Sequence, residues 1–449
     1  MKKFLVLAIA AALTITSLAG CGASQNAEKS SSANDGESKK LVTLRMATMS
    51  PEIIPAINNM LAARAQDYPN VTMEVTVLPG GVAGFNSAMA TKFAAGDAPD
   101  IFQYQWGSQI TAYAKGGHLM DLTNIGVKEK LREIKKPVNV YEGKEYAYPV
   151  AQSLWGLMYN SKLGEEAGVT GIPKTLDQFA AAMDKIKAKG VEYPFIVPAK
   201  DGSGATGFVF CYLHQIVSGQ NPDFYYQCLK GEKAWDGDEW KRLFEVYDKL
   251  LKYSNPDRLG LDVDNALTRF ARGDGAFMVS APSTIKRLEE MNPDLKGKLL
   301  YIPFPLYDKE EDYATISDYD TGLSIWSKTK YSDEAVSLFK EFYDPDNSVA
   351  IATALNMVSP VVGTPDTYLD PSVVNQVPLL EAGKYSGFSE REWVPGVKEI
   401  MKTKVQEWMA GKEINQTLAD LQKEHNRLLD ANPNFIKEFE ALRENTKSK

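Results

Sequence analysis

Between Leu41 and Gly117 the chain switches at short intervals between the two-residue period of a strand and the longer period of a helix. Residues 41–47 alternate in part and read as a strand. "SPEIIPAINNMLAARAQDYPN" follows with Ser50 as a cap, Pro51 in the first turn and Glu52 near the positive helix end, and it closes before Pro69. "VTMEVTVLP" is a second strand, "GFNSAMATKFAAG" a helix stopped by Gly96, "DIFQY" a third strand and "SQITAYAKGG" the next helix. Strand and helix alternating in this way predict a doubly wound α/β sheet. Ligands of such sheets sit outside the carboxyl ends of the strands. Glu52 follows the first strand, and Tyr104, Gln105 and Trp106 end the third. A flat indole beside an amide suits the apolar face and hydroxyl rim of a sugar. The competing reading for Trp106 is burial in the core, the common fate of large rings; Tyr104 is expected to share the packing.

The same logic recurs further on. "TLDQFAAAMDKIKAKG" is a capped helix and "YPFIVPA" a strand; "DEWKRLFEVYDKLLKY" carries Trp240, Leu243, Phe244, Tyr247, Leu250 and Leu251 on one stripe. "GAFMVSA" and "KLLYIPFPL" are apolar strands, and three further helices follow. The roughly 410 residues after Lys40 exceed what one core usually holds, so two lobes are expected.

At the N-terminus, Lys2 and Lys3 precede an almost wholly apolar run from Phe4 to Thr16, and Leu18-Ala19-Gly20-Cys21 ends it. A basic start, an apolar stretch too short to span a bilayer comfortably and a small-residue cut site describe a secretory signal over residues 1–20. Residues 21–40 are rich in Ser, Asn, Gly, Lys and Glu and hold no large apolar side chain. They cannot bury enough surface to offset ordering and read as a flexible tether.

Several chemistries are disfavoured. The formal charge is −8, and removal of Lys2 and Lys3 takes it to about −10, which argues against nucleic acid. The three histidines, His118, His214 and His425, lack metal-ligand spacing, and no G-x-S-x-G elbow occurs, so neither a cofactor nor a metal is expected. Gly202, Gly204 and Gly207 have the spacing G-x-G-x-x-G, but no further strand ending in an acid follows, so dinucleotide binding is rejected. Carboxylates abound without two being marked as a pair. With Cys21 set apart, Cys211 and Cys228 either bridge or stay as two separate buried thiols.

Several ordered pieces carry a family resemblance. They are "LAGC", "FNSAMATKFAAGDAPDIFQYQWGSQITAYAKGGHLMDLT", "YEGKEYAYPVAQSLWGLMYNSKLGEEAGV", "ARGDGAFMVSAPSTI" and "DTGLSIWSKTKYSDEAVSLFKEF". With them the chain resembles the extracellular solute-binding proteins of ABC importers, in the branch that contains maltose-binding protein. The resemblance implies a two-lobed periplasmic-binding-protein-like fold of type II, each lobe a doubly wound sheet flanked by helices. It implies an N-terminal lobe of residues 41–150 plus 280–320 and a C-terminal lobe of 151–279 plus 321–449. Crossings would fall near Pro149–Leu154, Met278–Pro282 and Asp320–Ser324. Closure of the lobes on a carbohydrate, delivery to membrane permeases and no bond-making are implied as well, by a protein expected to be a monomer.

The resemblance also places residues at the cleft. Gln152 and Ser153 lie in the first crossing, with Gln152 preferred over Trp155. Asp318, Tyr319 and Asp320 lie at the third, against the alternative of a solvated acidic loop. Ser283, in Ala281-Pro282-Ser283, stands where relatives commonly carry a tryptophan. Trp393, with Glu390 and Tyr385, is the candidate replacement, against the alternative of a surface loop. Two other functions stay open: a receptor for a cationic solute, with Asp318, Asp320 and Glu52 as counter-charges over Trp106, and a secreted carbohydrate-active enzyme. "LAGC" resembles a lipobox, which implies that Cys21 is acylated and anchors the chain outside the cytoplasm. Cells making the full chain are expected to incorporate labelled palmitate into it and to retain it at the membrane. Cys21→Ser should abolish the label and release the protein.

Overall fold

The computed structural model describes residues 41–79, 81–105, 109–132, 139–200 and 202–447. Cys21, the signal and tether segments and Trp106 lie outside them. In chain order, β1 (Val42–Thr48), β2 (Val71–Val77) and β3 (Ile101–Gln105) are separated by helices Ile54–Ala63 and Gly81–Ala95, as their periodicity predicts. A small hairpin of β4 (Val140–Tyr141) and β5 (Lys144–Glu145) leads into β6 (Tyr148–Trp155) and β7 (Leu157–Asn160). β8 (Phe195–Ile196), β9 (Phe277–Val279), β10 (Leu299–Ile302), β11 (Thr315–Ile325) and β12 (Tyr385–Ser386) follow.

Among the described residues these strands build two main sheets. The first runs β12-β11-β3-β1-β2, with β6 also paired to β11. β1 is parallel to β2 and β3, whereas β11 is antiparallel to β3 and β6. The second runs β10-β7-β9-β8. Each sheet has its own apolar core. Leu44, Met46, Ile57, Tyr148 and Val150 pack with Leu323, Ile325 and Phe339 on the first. Leu157, Phe179, Phe195, Phe208, Trp240 and Phe277 pack on the second, where the expected stripe of the helix Asp238–Leu251 is buried. Met158, Ile196, Met278 and Tyr301 form a further cluster on the same sheet, and the two clusters together make the second core.

Three segments carry the chain between the cores. In β6, Val150 belongs to the first core and Leu154 to the second. In β11, Ile316 belongs to the second, and Leu323 and Ile325 to the first. The third lies at 351–369: Ile351 and Val361 sit in the first core, and Val358, which bridges Gln152, and Leu369 in the second. The expected lobe boundaries need correction here. Residues 280–316 do not join the first lobe, because β10 pairs with β7, Ile285, Leu288, Leu295 and Tyr301 pack in the second core and Ile316 follows them, whereas Tyr319 packs with Ala47, Phe102 and Tyr104. Conversely, 321–355 belongs with the first, through Leu323, Leu338, Phe339 and Phe342. No crossing falls at Met278–Pro282. An extended apolar segment such as "KLLYI" fits either sheet by period alone, and only long-range pairing decides which one it joins.

The glycine motif has a packing role. Gly202 caps the helix Ser203–Tyr212 at φ +77°, a left-handed conformation. A Cβ on Gly204 would run into the Pro198 carbonyl, and one on Gly207 would come within 2.5 Å of Val279 Cγ1. The glycines let helix and strand approach closely. No helix among the described residues is long and apolar enough to cross a membrane.

Cys211 and Cys228 are two separate buried thiols. Burial pushes both up, Cys228 to about 12, so neither is a ready thiolate. A thiol reagent should therefore modify neither residue in the native protein and both after denaturation, with no reductant needed.

Candidate functional site

At the carboxyl end of β3 lies a cavity of about 550 Å³. Gln105 of β3, Leu355–Met357, Ser153–Trp155 of β6, Ala281–Ser283 and Asp320 of β11 line it. A wall from Phe388 to Lys398 completes it. The helix Pro345–Leu355 ends at Asn356, left-handed at φ 53°, whose amide donates to the Pro282 carbonyl at 3.4 Å. Residues from both cores therefore meet around one space.

The apolar part is aromatic. Trp155 is half-buried, stacked 6.2 Å from Phe210 and edge-on to Phe388 at 5.8 Å. Trp393 is buried, 5.2 Å from Trp235 and 6.0 Å from Phe210. The polar part consists of charges facing one another. Arg391 lies 4.8 Å over the Phe388 ring, donates Nη1 to the Tyr319 carbonyl and places Nη2 3.3 Å from Asp320 Oδ1. Lys398 Nζ is 3.6 Å from Glu390 Oε1, and His214 Nε2 is 3.0 Å from Glu390 Oε2. Burial alone would push the Glu390 carboxyl up, but His214, Lys398 and Arg391 outweigh it and bring the pKa down to about 2.

The wall segment is hung from side chains of other elements. Phe388 N donates to Asp318 Oδ2 at 2.8 Å, Ser389 N to His214 Nδ1 at 3.1 Å, and Val394 N to the Tyr225 hydroxyl at 2.9 Å. Each bond satisfies a buried N–H that secondary structure leaves unpaired.

Of the residues singled out in the sequence, Gln105, Ser153, Ser283, Asp320 and Trp393 line the cavity, as does Glu390. Four others are placed elsewhere. Gln152 is buried in β6, bonded through its backbone to Val358 in both directions at 2.8 Å. Asp318 is buried, its Oδ1 accepting from Tyr319 N and its Oδ2 from Phe388 N, both at 2.8 Å. Tyr319 packs in the core and donates its hydroxyl to the Arg132 carbonyl at 2.9 Å. Glu52 is exposed in the 3-10 turn Pro51–Ile53, away from the lining. Ser153, Leu154 and Trp155 border the space, and Gln152 does not. Sequence reasoning missed Phe388, Arg391, Lys398 and Asn356. A lone arginine between two acids in the aromatic run "GFSEREW" was the available signal for Arg391.

A family model described as bacterial extracellular solute-binding protein matches residues 50–348. The chain belongs to this family. Among curated relatives, the melibiose/raffinose/stachyose-binding protein MelE of Bacillus subtilis is 23% identical over 440 residues, spanning 95% of this chain and 97% of MelE. An uncharacterized ABC transporter extracellular-binding protein of Pyrococcus horikoshii is 26% identical over 253 residues, 54% of this chain and 56% of that protein. Among solved structures, the ligand-free RafE of Streptococcus pneumoniae superposes with a TM-score of 0.72 at 18% identity, covering 87% of this chain and 98% of RafE. The fold is thus the two-lobed, type II solute-binding fold.

Because the folded pKa of Glu390 lies below its ordinary value, its stabilisation is complete above about pH 4.3 and is lost as pH falls towards about 2. Glu390→Gln should therefore flatten the acid limb of a stability-versus-pH curve, by no more than about 3 kcal/mol. Urea titrations between pH 2 and 6 would show it, and an unchanged acid limb would contradict the assignment.

Proposed function

We propose that the chain is the extracellular receptor of an ABC importer for a neutral oligosaccharide. In this reading it is lipid-anchored at Cys21, monomeric and free of bond-making chemistry. One observation carries the choice of ligand: among the described residues, every charge lining the cavity faces a partner of opposite sign. Asp320 stands against Arg391 and Glu390 against Lys398. A cationic solute would need an uncompensated acid. The three acids suggested for that role are occupied or distant, since Asp318 accepts two backbone N–H groups, Asp320 faces Arg391, and Glu52 does not line the space. What remains is an aromatic platform with a rim of fixed, paired polar groups, the surface a sugar ring and its hydroxyls fit. The sugars printed in the name of MelE point the same way.

Two lobes joined by three crossing segments support capture by hinge closure, followed by delivery to membrane permeases. Trp106 directly follows the cavity-lining Gln105 in sequence and belongs to the proposed contact set.

The test is a titration of residues 24–449 with mono-, di- and trisaccharides, following tryptophan fluorescence and heat. Saturable one-to-one binding of a neutral sugar, recovered unchanged and weakened at least ~10-fold in Trp155→Ala, is the expected result. New reducing ends would point to an enzyme, and binding of charged solutes alone would overturn the neutral-sugar reading.

A further inference from the structure

The helix Ser203–Tyr212 runs directly into a π-turn, Leu213–Ser218. Such turns are rare and concentrate at functional sites. This one holds two adjacent polar residues in the core, His214 at 0% exposure and Gln215 at 2%. The wider turn rotates less per residue than an α-helix, so neighbouring side chains diverge less. His214 reaches the wall of the cavity, and Gln215 a segment away from it. Gln215 Nε2 donates at 2.9 Å to the Ala314 carbonyl, immediately before β11. His214 meets Ser389 and Glu390 of the wall, and its ring lies 5.5 Å from Phe388 and 6.4 Å from Trp155.

Burying an imidazole and an amide is unfavourable unless polar partners repay the lost hydration. Packing alone would be served better by apolar residues. The direction of the histidine is set as well: a backbone N–H can only donate, so Ser389 N makes Nδ1 the acceptor and leaves the ring proton on Nε2, towards Glu390.

We infer that the π-turn is the positioning device of the ligand wall, with His214 as the positioning residue that holds Ser389, beside Glu390, and through it the Trp155–Phe388 platform, in binding geometry. This rests on the ligand reading above. His214 does not line the cavity, so it acts through the wall and not by touching the ligand.

The test uses residues 24–449 with His214→Asn, His214→Gln and His214→Ala. Asparagine keeps an acceptor near the Nδ1 position, whereas glutamine offers its amide near Nε2 and leaves Ser389 N without its partner. Two readouts are followed: affinity for the neutral sugar that wild type binds best, and amide hydrogen exchange of residues 388–394, with β1 as the control for global opening. His214→Asn should stay within ~3-fold of wild type in both readouts. His214→Gln and His214→Ala should bind at least ~10-fold more weakly and exchange Ser389 at least ~10-fold faster, with β1 unchanged. Three variants equal to wild type, or three losing protection in β1 and the wall together, would overturn the inference. Should wild type bind no sugar, the ligand reading falls, while the exchange order among the variants still decides the positioning role.

Discussion

The antiparallel pairing of β6 with β11 is the constraint on which the rest depends. Residues Tyr148–Trp155 face Ile316–Leu323 along a ladder whose register shifts between Tyr319 and Gly322. Both strands pass from one core to the other within this ladder. The irregularity leaves Asp320 without a ladder partner, half-exposed at the cavity, while Asp318 two residues earlier is buried. A bulge re-aims side chains in this manner and increases local twist. One strand thereby supplies an internal anchor for Phe388 N and a polar group at the cavity.

That anchor is one of several. Asp318, His214 and Tyr225 reach the segment 388–394 from β11, the π-turn and the helix Phe224–Leu229, and Arg391 reaches out of it to the Tyr319 carbonyl. A wall fixed before the ligand arrives loses less conformational freedom on binding. The charged groups are likewise compensated in advance. Arg391 is stacked and paired, and Glu390 has Lys398 near one oxygen and the His214 Nε2 near the other. A neutral ligand can therefore enter without stripping any ion of its partner, a loss that is severe for buried charges.

Local pattern made much of this visible in the sequence. The alternation from Leu41 to Gly117 gave the first lobe's strands and helices, and the stripe of the helix Asp238–Leu251 is buried as its period requires. Long-range pairing was not legible. "KLLYI" and "GLSIW" look alike as sequence, yet one joins the second sheet and the other the first. The acids near β11 carried no mark of their different fates, because a single bulge separates Asp318 from Asp320. Which residues of β6 border the cavity, Trp155 and not Gln152, depends on that same pairing. The wall was half legible: Glu390 and Trp393 stood out by type, whereas Arg391 gains its role only from the carbonyl of Tyr319.

The central claim is that the cavity recognises a neutral sugar between charges already matched. The most direct test is the affinity of the best-bound oligosaccharide at ionic strengths of about 0.05 M and about 0.5 M, measured calorimetrically. Screening acts on uncompensated charge between protein and ligand. A dissociation constant that changes by less than ~2-fold is the predicted result. A steep loss of affinity with salt would contradict it and require a charged solute.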